Sequence, residues 1–93
     1  MSWQMEKREL IGRIIQALDD GKTLIIFDPN IFMGNWGGWT KLWADEPGAY
    51  RVFSFGRGWE DQYPSSLDRD QVARYLWKIP IRYLREASRE AAF

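Results

Sequence analysis

One amphipathic segment near the start of the chain most limits what this sequence can fold into. From Trp3 to Asp19, apolar residues recur three and four positions apart, which is the spacing of one helical face. Ser2 is placed to cap the start of this helix, and Gly21 is placed to end it in the left-handed conformation. The apolar, β-branched segment Thr23–Phe27 follows at once and predicts a strand covered on both faces. The chain is therefore predicted to be an α+β protein.

An antiparallel meander of three to four strands is predicted after the first strand. Residues 39–45 and 50–55 form two strands joined around Glu46–Ala49, and residues 59–63 form a further short strand. With a turn of even length, one hairpin face holds Thr40, Leu42, Ala44, Arg51, Phe53 and Phe55, and the other holds Trp39, Lys41, Trp43, Tyr50, Val52 and Ser54. A turn of odd length would change these assignments, because a slip of one residue exchanges faces.

The last third of the chain predicts one or two helices. Ser65 and Asp68 have the spacing of a capping box, with aspartate in place of glutamate. Four apolar residues between positions 72 and 83 share one helical face, and Pro80 predicts a kink or break near residue 79. Because the apolar phase continues across the proline, we expect two nearly collinear segments. Residues 1–93 are expected to form a single small domain.

The residue inventory argues against catalysis. The chain has no histidine and no cysteine, which removes the commonest general base, the thiolate nucleophile and most transition-metal ligands. Gly21–Thr23 copies the end of a phosphate-binding loop, but the earlier glycine is missing and the order is helix to strand instead of strand to helix. We therefore expect a protein that is not an enzyme and that holds no cofactor and no metal.

Charge and hydropathy point to a soluble, cytoplasmic protein that does not contact the membrane. Thirteen basic and thirteen acidic residues cancel, so no overall field attracts nucleic acid or acidic lipid. The first residues lack the apolar stretch of a signal peptide, and no segment approaches the length of a membrane span.

Aromatic side chains are more abundant than a core of this size readily holds. The chain contains six tryptophans, four tyrosines and five phenylalanines. If the helices cover one face of the hairpin, the other face leaves apolar groups available to a partner. We therefore expect a protein-interaction module that binds another protein or itself as a homodimer. The expected contact residues are Trp39, Trp43, Tyr50 and Val52, together with Phe32 and Trp36 of the glycine-rich loop before them.

A nucleic-acid-binding domain is the alternative. Trp39, Trp43 or Trp59 would stack on bases while basic residues contact phosphates or an acidic partner. These basic residues are Arg51 and Arg57 on the hairpin and Arg74, Lys78, Arg82, Arg85 and Arg89 toward the C-terminus. On a helix that continues through Pro80, the last five would line one side, although a solvated face is the simpler interpretation of such a stripe.

A small-molecule pocket is the third hypothesis. Phe32, Trp36 and Trp59 would line it, and nothing in their arrangement along the chain names the ligand.

Overall fold

The computed structural model describes residues 2–31 and 37–91. Within them, an N-terminal helix, a five-stranded antiparallel sheet and two C-terminal helices confirm the predicted α+β class. The elements are α1 (Trp3–Asp19), β1 (Leu24–Asp28), β2 (Gly38–Glu46), β3 (Ala49–Gly56), β4 (Trp59–Glu60), β5 (Ser65–Leu67), α2 (Arg69–Trp77) and α3 (Ile81–Ala91). No helix in these two described ranges is long and apolar enough to cross a membrane.

Both predicted ends of α1 are confirmed. The Ser2 hydroxyl accepts a hydrogen bond from a backbone amide of the first turn. At the other end, Gly21 has φ +93°, and the amides of Gly21 and Lys22 donate to the carbonyls of Leu18 and Ala17, each at 3.0 Å. This pair of bonds is a Schellman motif, which satisfies the last carbonyls of the helix and turns the chain into β1.

The sheet is a meander from β1 to β3, and its last edge is shared by two short strands. β4 pairs with the end of β3, whereas β5 pairs with its beginning. The strand predicted over residues 59–63 is therefore only two residues long. The prediction that Ser65 starts a capping box is wrong, because Ser65 lies in β5.

The capping box lies three residues later than predicted. The Asp68 carboxylate accepts a hydrogen bond from the Gln71 amide at 2.8 Å, and the Gln71 side chain accepts one from the Asp68 amide at 2.9 Å. The reciprocal bonds satisfy two amides that the first turn of α2 leaves without helical partners.

The turn between β2 and β3 sets which side chains face the helices. Pro47 and Gly48 form a two-residue turn, and Gly48 has φ +88°, as the third position of a type II turn requires. Ala44 pairs with Tyr50, but Glu46 pairs with Ala49, so Asp45 is an extra residue in β2. Because this β-bulge adds one residue to β2, an odd number of residues separates Ala44 from Tyr50, although the turn itself has an even number.

The bulge reverses the predicted faces of β3 relative to β2. Tyr50, Val52 and Ser54 share a face with Thr40, Leu42 and Ala44, and this face lies under the helices. The prediction that Tyr50 and Val52 lie on the outward face with Trp39 and Trp43 is therefore wrong, and Tyr50 is 0% exposed. The outward face consists of Ile25, Phe27, Trp39, Lys41, Trp43, Arg51, Phe53 and Phe55.

Helix α2 runs antiparallel to α1. At one end, the Arg69 guanidinium lies 3.3 Å from the Asp19 carboxylate at the end of α1. At the other end, the ring of Trp77 stacks on Trp3 in the first turn of α1, with 6.2 Å between centroids.

Helix α3 runs parallel to α1 on its other side. Arg85 donates two hydrogen bonds to Glu6 in the first turn of α1, at 2.7 and 2.9 Å. The Lys22 ammonium, just beyond the end of α1, donates to the carbonyl of Ala91 at the end of α3. The break at Pro80 is thus confirmed, but the two C-terminal segments reverse direction there, and the prediction of collinear helices is wrong.

The core lies between the three helices and the inward face of the sheet. Its most buried members come from every long element, which ties the two layers together. Those with exposure of 1% or less are Ile14, Leu18, Ile26, Leu42, Tyr50, Val72, Leu76, Ile79 and Leu84.

Candidate functional site

The outward face of the sheet, called the open face below, is the main candidate for a binding surface. The described helices pack on the opposite side of the sheet. Ile25 at position two of β1 is 48% exposed, so the prediction that β1 is covered on both faces is wrong. The other apolar members of the open face are partly buried.

Three aromatic rings form a continuous row across one end of the open face, and a fourth ring from α3 contacts the first of them. Phe27, Trp39 and Phe55 are direct cross-strand partners on β1, β2 and β3. Phe27 meets Trp39 edge to face at 5.6 Å, and Trp39 stacks on Phe55 at 6.0 Å between centroids. The Tyr83 ring of α3 meets Phe27 edge to face, with 4.9 Å between the centroids. Such cross-strand packing holds the rings in fixed positions.

The other end of the open face mixes rings with charges. The Lys41 ammonium lies 5.4 Å from the centroid of the Trp43 ring, within the range of a cation–π contact. The Arg51 guanidinium lies 3.6 Å from the carboxylate of Asp45, the extra residue of the bulge, and 3.5 Å from the Pro64 carbonyl. The Arg51 Nε is buried and has no partner among the described residues.

Trp59 lies on the opposite side of the sheet from the other aromatic candidates. Its indole fills the space over Gly56 and Gly38, where a Cβ atom would come within 2.2 Å and 2.8 Å of the ring. Both glycines alternate with open-face residues, so Trp59 packs on the side that bears the helices. Trp59 and the tryptophans of β2 therefore do not form one stacking surface. Phe32 and Trp36, expected both in the interaction surface and in the small-molecule pocket, lie outside the described residues.

The predicted basic stripe is divided between two sides of α1. Arg74 and Lys78 lie beside α1 at its contact with α2, whereas Arg82, Arg85 and Arg89 lie at its contact with α3. The chain reversal at Pro80 causes this division, so the prediction of one continuous stripe is wrong. Arg57 is exposed in the turn between β3 and β4.

A buried polar network joins α2 to the sheet. Asp28 is 4% exposed and accepts hydrogen bonds from the Tyr75 hydroxyl at 2.7 Å and the Asn30 amide at 2.9 Å. The Tyr75 oxygen accepts from Thr40 at 2.5 Å, and Thr40 in turn lies 3.3 Å from the Ser54 hydroxyl. The bond from Asn30 is local to the turn after β1, whereas Tyr75 lies 47 positions from Asp28, which is beyond the reach of local sequence patterns.

The Tyr75 hydroxyl makes the stability of the protein sensitive to alkaline pH. Burial first, and then the hydrogen bond to Asp28, raise the pKa of Tyr75 well above its ordinary value of about 10. At pH values between the ordinary pKa and the raised one, the Tyr75 phenol is ionised in the unfolded chain and neutral in the folded protein. The free energy of unfolding therefore falls as pH rises above about 10. The limiting slope is about 1.4 kcal/mol per pH unit for one group.

Urea unfolding at pH values on either side of about 10 measures this effect. We expect Tyr75→Phe to show a smaller loss of stability with rising pH than the wild type. A residual slope is expected, since burial also raises the pKa of Tyr50. Equal slopes in the two proteins would contradict the role given to Tyr75.

Comparison with protein-family models, with curated proteins and with solved structures gives no match. Within residues 2–31 and 37–91, no cluster of three or more carboxylates is arranged to hold a metal ion.

Proposed function

We propose that the protein is a non-catalytic interaction module that forms a homodimer through its open face. One observation carries the proposal: the helices pack on one side of the sheet, while three adjacent strands present six large apolar side chains on the other. Monomeric proteins rarely leave a contiguous apolar area of this kind without a partner. The sequence offers neither histidine nor cysteine for catalysis at this face.

A second copy of the chain is the partner that best fits the charges. The net charge is zero, so two copies do not repel one another at long range. The charged end of the open face carries both signs, since the Arg51 guanidinium lies 3.6 Å from the Asp45 carboxylate. A two-fold axis can align such a surface with itself without opposing only like charges.

Two open faces can pack as the sheets of a β-sandwich do. Sheets stack about 10 Å apart, with side chains from the two inner faces interdigitating. The row of Phe27, Trp39 and Phe55 supplies fixed rings of the kind that dominate interface energetics. The dimer would then have two inner sheets and two outer helical layers.

Sedimentation equilibrium of the wild type and of Ile25→Lys tests the proposal. Ile25 is largely exposed in the single chain, so a lysine there costs the monomer little, but in the dimer it would bury an unpaired ammonium group. We expect a dimeric wild type, and a dissociation constant raised at least about tenfold in the variant.

Met5→Lys is the matched control. Met5 is 55% exposed on α1, so this change removes a similar exposed apolar group from the other layer of the molecule. We expect Met5→Lys to dimerise like the wild type. A monomeric wild type at high micromolar concentration, or equal weakening by the two substitutions, would reject the homodimer.

A nucleic-acid-binding surface is the second candidate, and one observation favours it. Lys41 and Arg51 lie among aromatic rings on the open face, as in surfaces that stack single-stranded bases. The same Ile25→Lys variant separates the two candidates, because an added cation would strengthen binding to a labelled single-stranded oligonucleotide at low salt. Anisotropy that does not change with either protein would remove this candidate.

A further inference from the structure

A groove lies in the helical layer, between α1 and α2 and away from the open face. Its volume is about 480 Å³, which falls in the range of small-molecule sites. The residues that line it are Arg8 and Ile11 of α1, Ala73, Arg74 and Trp77 of α2, and the following Lys78.

The floor of the groove is apolar. Ile11 is nearly buried, and the small side chain of Ala73 leaves space between the antiparallel helices. The Trp77 ring stands at one end, 38% exposed and stacked on Trp3. A ligand with a flat apolar body could thus exchange water for contacts with an aliphatic floor and an aromatic wall.

The rim of the groove carries three positively charged side chains. Arg8, Arg74 and Lys78 are exposed, and none of them forms an ion pair with a residue that the structure describes. Lys7, which does not line the groove, is 7% exposed, with its ammonium 5.1 Å from the centroid of the Trp77 ring. Burial lowers the pKa of Lys7.

The corresponding groove between α1 and α3 differs in its charges. It is lined by several arginines, but Arg85 is paired with Glu6, and Glu86 lies among them. The positive charge there is partly neutralised within the protein. The α1–α2 groove is distinguished by the Trp77 ring in its lining and by a lining without carboxylates among the described residues.

We propose that the α1–α2 groove binds an organic anion with a flat apolar body. The body rests on Ile11 and Ala73 against the Trp77 ring, and the anionic group lies among Arg8, Arg74 and Lys78. Guanidinium groups suit this role because their fixed donors match the two oxygens of a carboxylate. The site is independent of the homodimer, since it lies in the opposite layer of the molecule.

A pair of probes that differ only in charge tests the site. We would titrate 2-naphthoate and the uncharged 2-naphthamide into the ¹⁵N-labelled protein and follow the amide and indole signals by NMR. We expect 2-naphthoate to shift the signals of Ala73 and of the Trp77 indole, and to bind at least about tenfold more tightly than 2-naphthamide.

Arg74→Gln and Arg89→Gln form the matched pair of variants. Both remove one exposed cation from a helix, but only Arg74 lines the groove. We expect Arg74→Gln to weaken 2-naphthoate binding on the order of tenfold and to leave 2-naphthamide unaffected, while Arg89→Gln changes neither. Equal affinity for the two probes, equal effects of the two substitutions, shifts confined to the open face, or no shifts at millimolar probe would each overturn the proposal. None of these results bears on the sedimentation of the dimer.

Discussion

Deletion of Asp45 is expected to keep the same side chains beneath the helices and to leave unfolding cooperative. Without the extra residue, Glu46 still pairs with Ala49 and Ala44 with Tyr50, now as consecutive pairs of a regular ladder, so neither face changes. A regular ladder that keeps Asp45 would instead turn β3 over, which would place Arg51 and Phe53 beneath the helices and Tyr50 in solvent. Burial of an unpaired guanidinium costs several kcal/mol, which is comparable to the whole stability of a small domain, about 5–15 kcal/mol.

One further variant separates the loss of the bulge from the loss of the Asp45 carboxylate. Asp45→Ala keeps the chain length and removes only the exposed contact with Arg51 at 3.6 Å, so it should cost less than about 1 kcal/mol. Near-ultraviolet circular dichroism and urea unfolding report the outcome, and a deletion variant that lost its near-ultraviolet signals would show that the pairing of Ala44 with Tyr50 requires the extra residue.

Substitution of Tyr50 by alanine is expected to lower the free energy of unfolding by about 3–5 kcal/mol, as for other large buried rings. Tyr50 is 0% exposed in the core, and its hydroxyl donates to the Asp19 carboxylate at 2.6 Å. The substitution therefore leaves a cavity and removes a partner of a half-buried carboxylate. Tyr50→Phe keeps the ring and loses only the hydrogen bond, which should cost about 1.5 kcal/mol.

Phe53→Ala is the control for the face on which Tyr50 lies. Phe53 is on the same strand but on the open face, where it is partly exposed, and its loss should cost the single chain about 1 kcal/mol. Urea unfolding at low protein concentration measures both variants in the monomer. A larger loss for Phe53→Ala than for Tyr50→Ala would mean that the faces of β3 are assigned the wrong way round.

Features that depend on neighbouring residues could be predicted from the sequence. Helix α1 and both of its ends follow from apolar spacing, Ser2 and Gly21, because capping bonds span only a few residues. The break at Pro80 likewise follows from the chemistry of one residue. What the break does to the direction of the chain depends on packing against α1, which local patterns do not contain.

The faces of the hairpin could not be predicted, because they depend on one extra residue. Nothing in Asp45 itself distinguishes a bulge from an ordinary strand position, and the even turn of Pro47 and Gly48 favours the other assignment. The candidate surface was consequently predicted in part. Trp39 and Trp43 lie on the open face, whereas Tyr50 and Val52 do not, and Phe27, Phe53 and Phe55 were missed as members.

The α1–α2 groove was missed for a different reason. Arg74 and Lys78 were noticed as part of a basic stripe, but Arg8 and Ile11 come from a helix more than sixty positions earlier. Two helices must pack before their side chains form a common wall. Apolar spacing predicts that each helix packs against another element, but it does not identify that element.

The placement of α1 between α2 and α3 also bears on how quickly the chain reaches its native state. The ion pair between Glu6 and Arg85 joins residues 79 positions apart, and Asp19 and Arg69 are 50 apart. Loops of this length must close before the helical layer can assemble, and such distant contacts slow folding. The protein should therefore reach its native state more slowly than a helical bundle of equal length, with the hairpin forming early and the helices docking last.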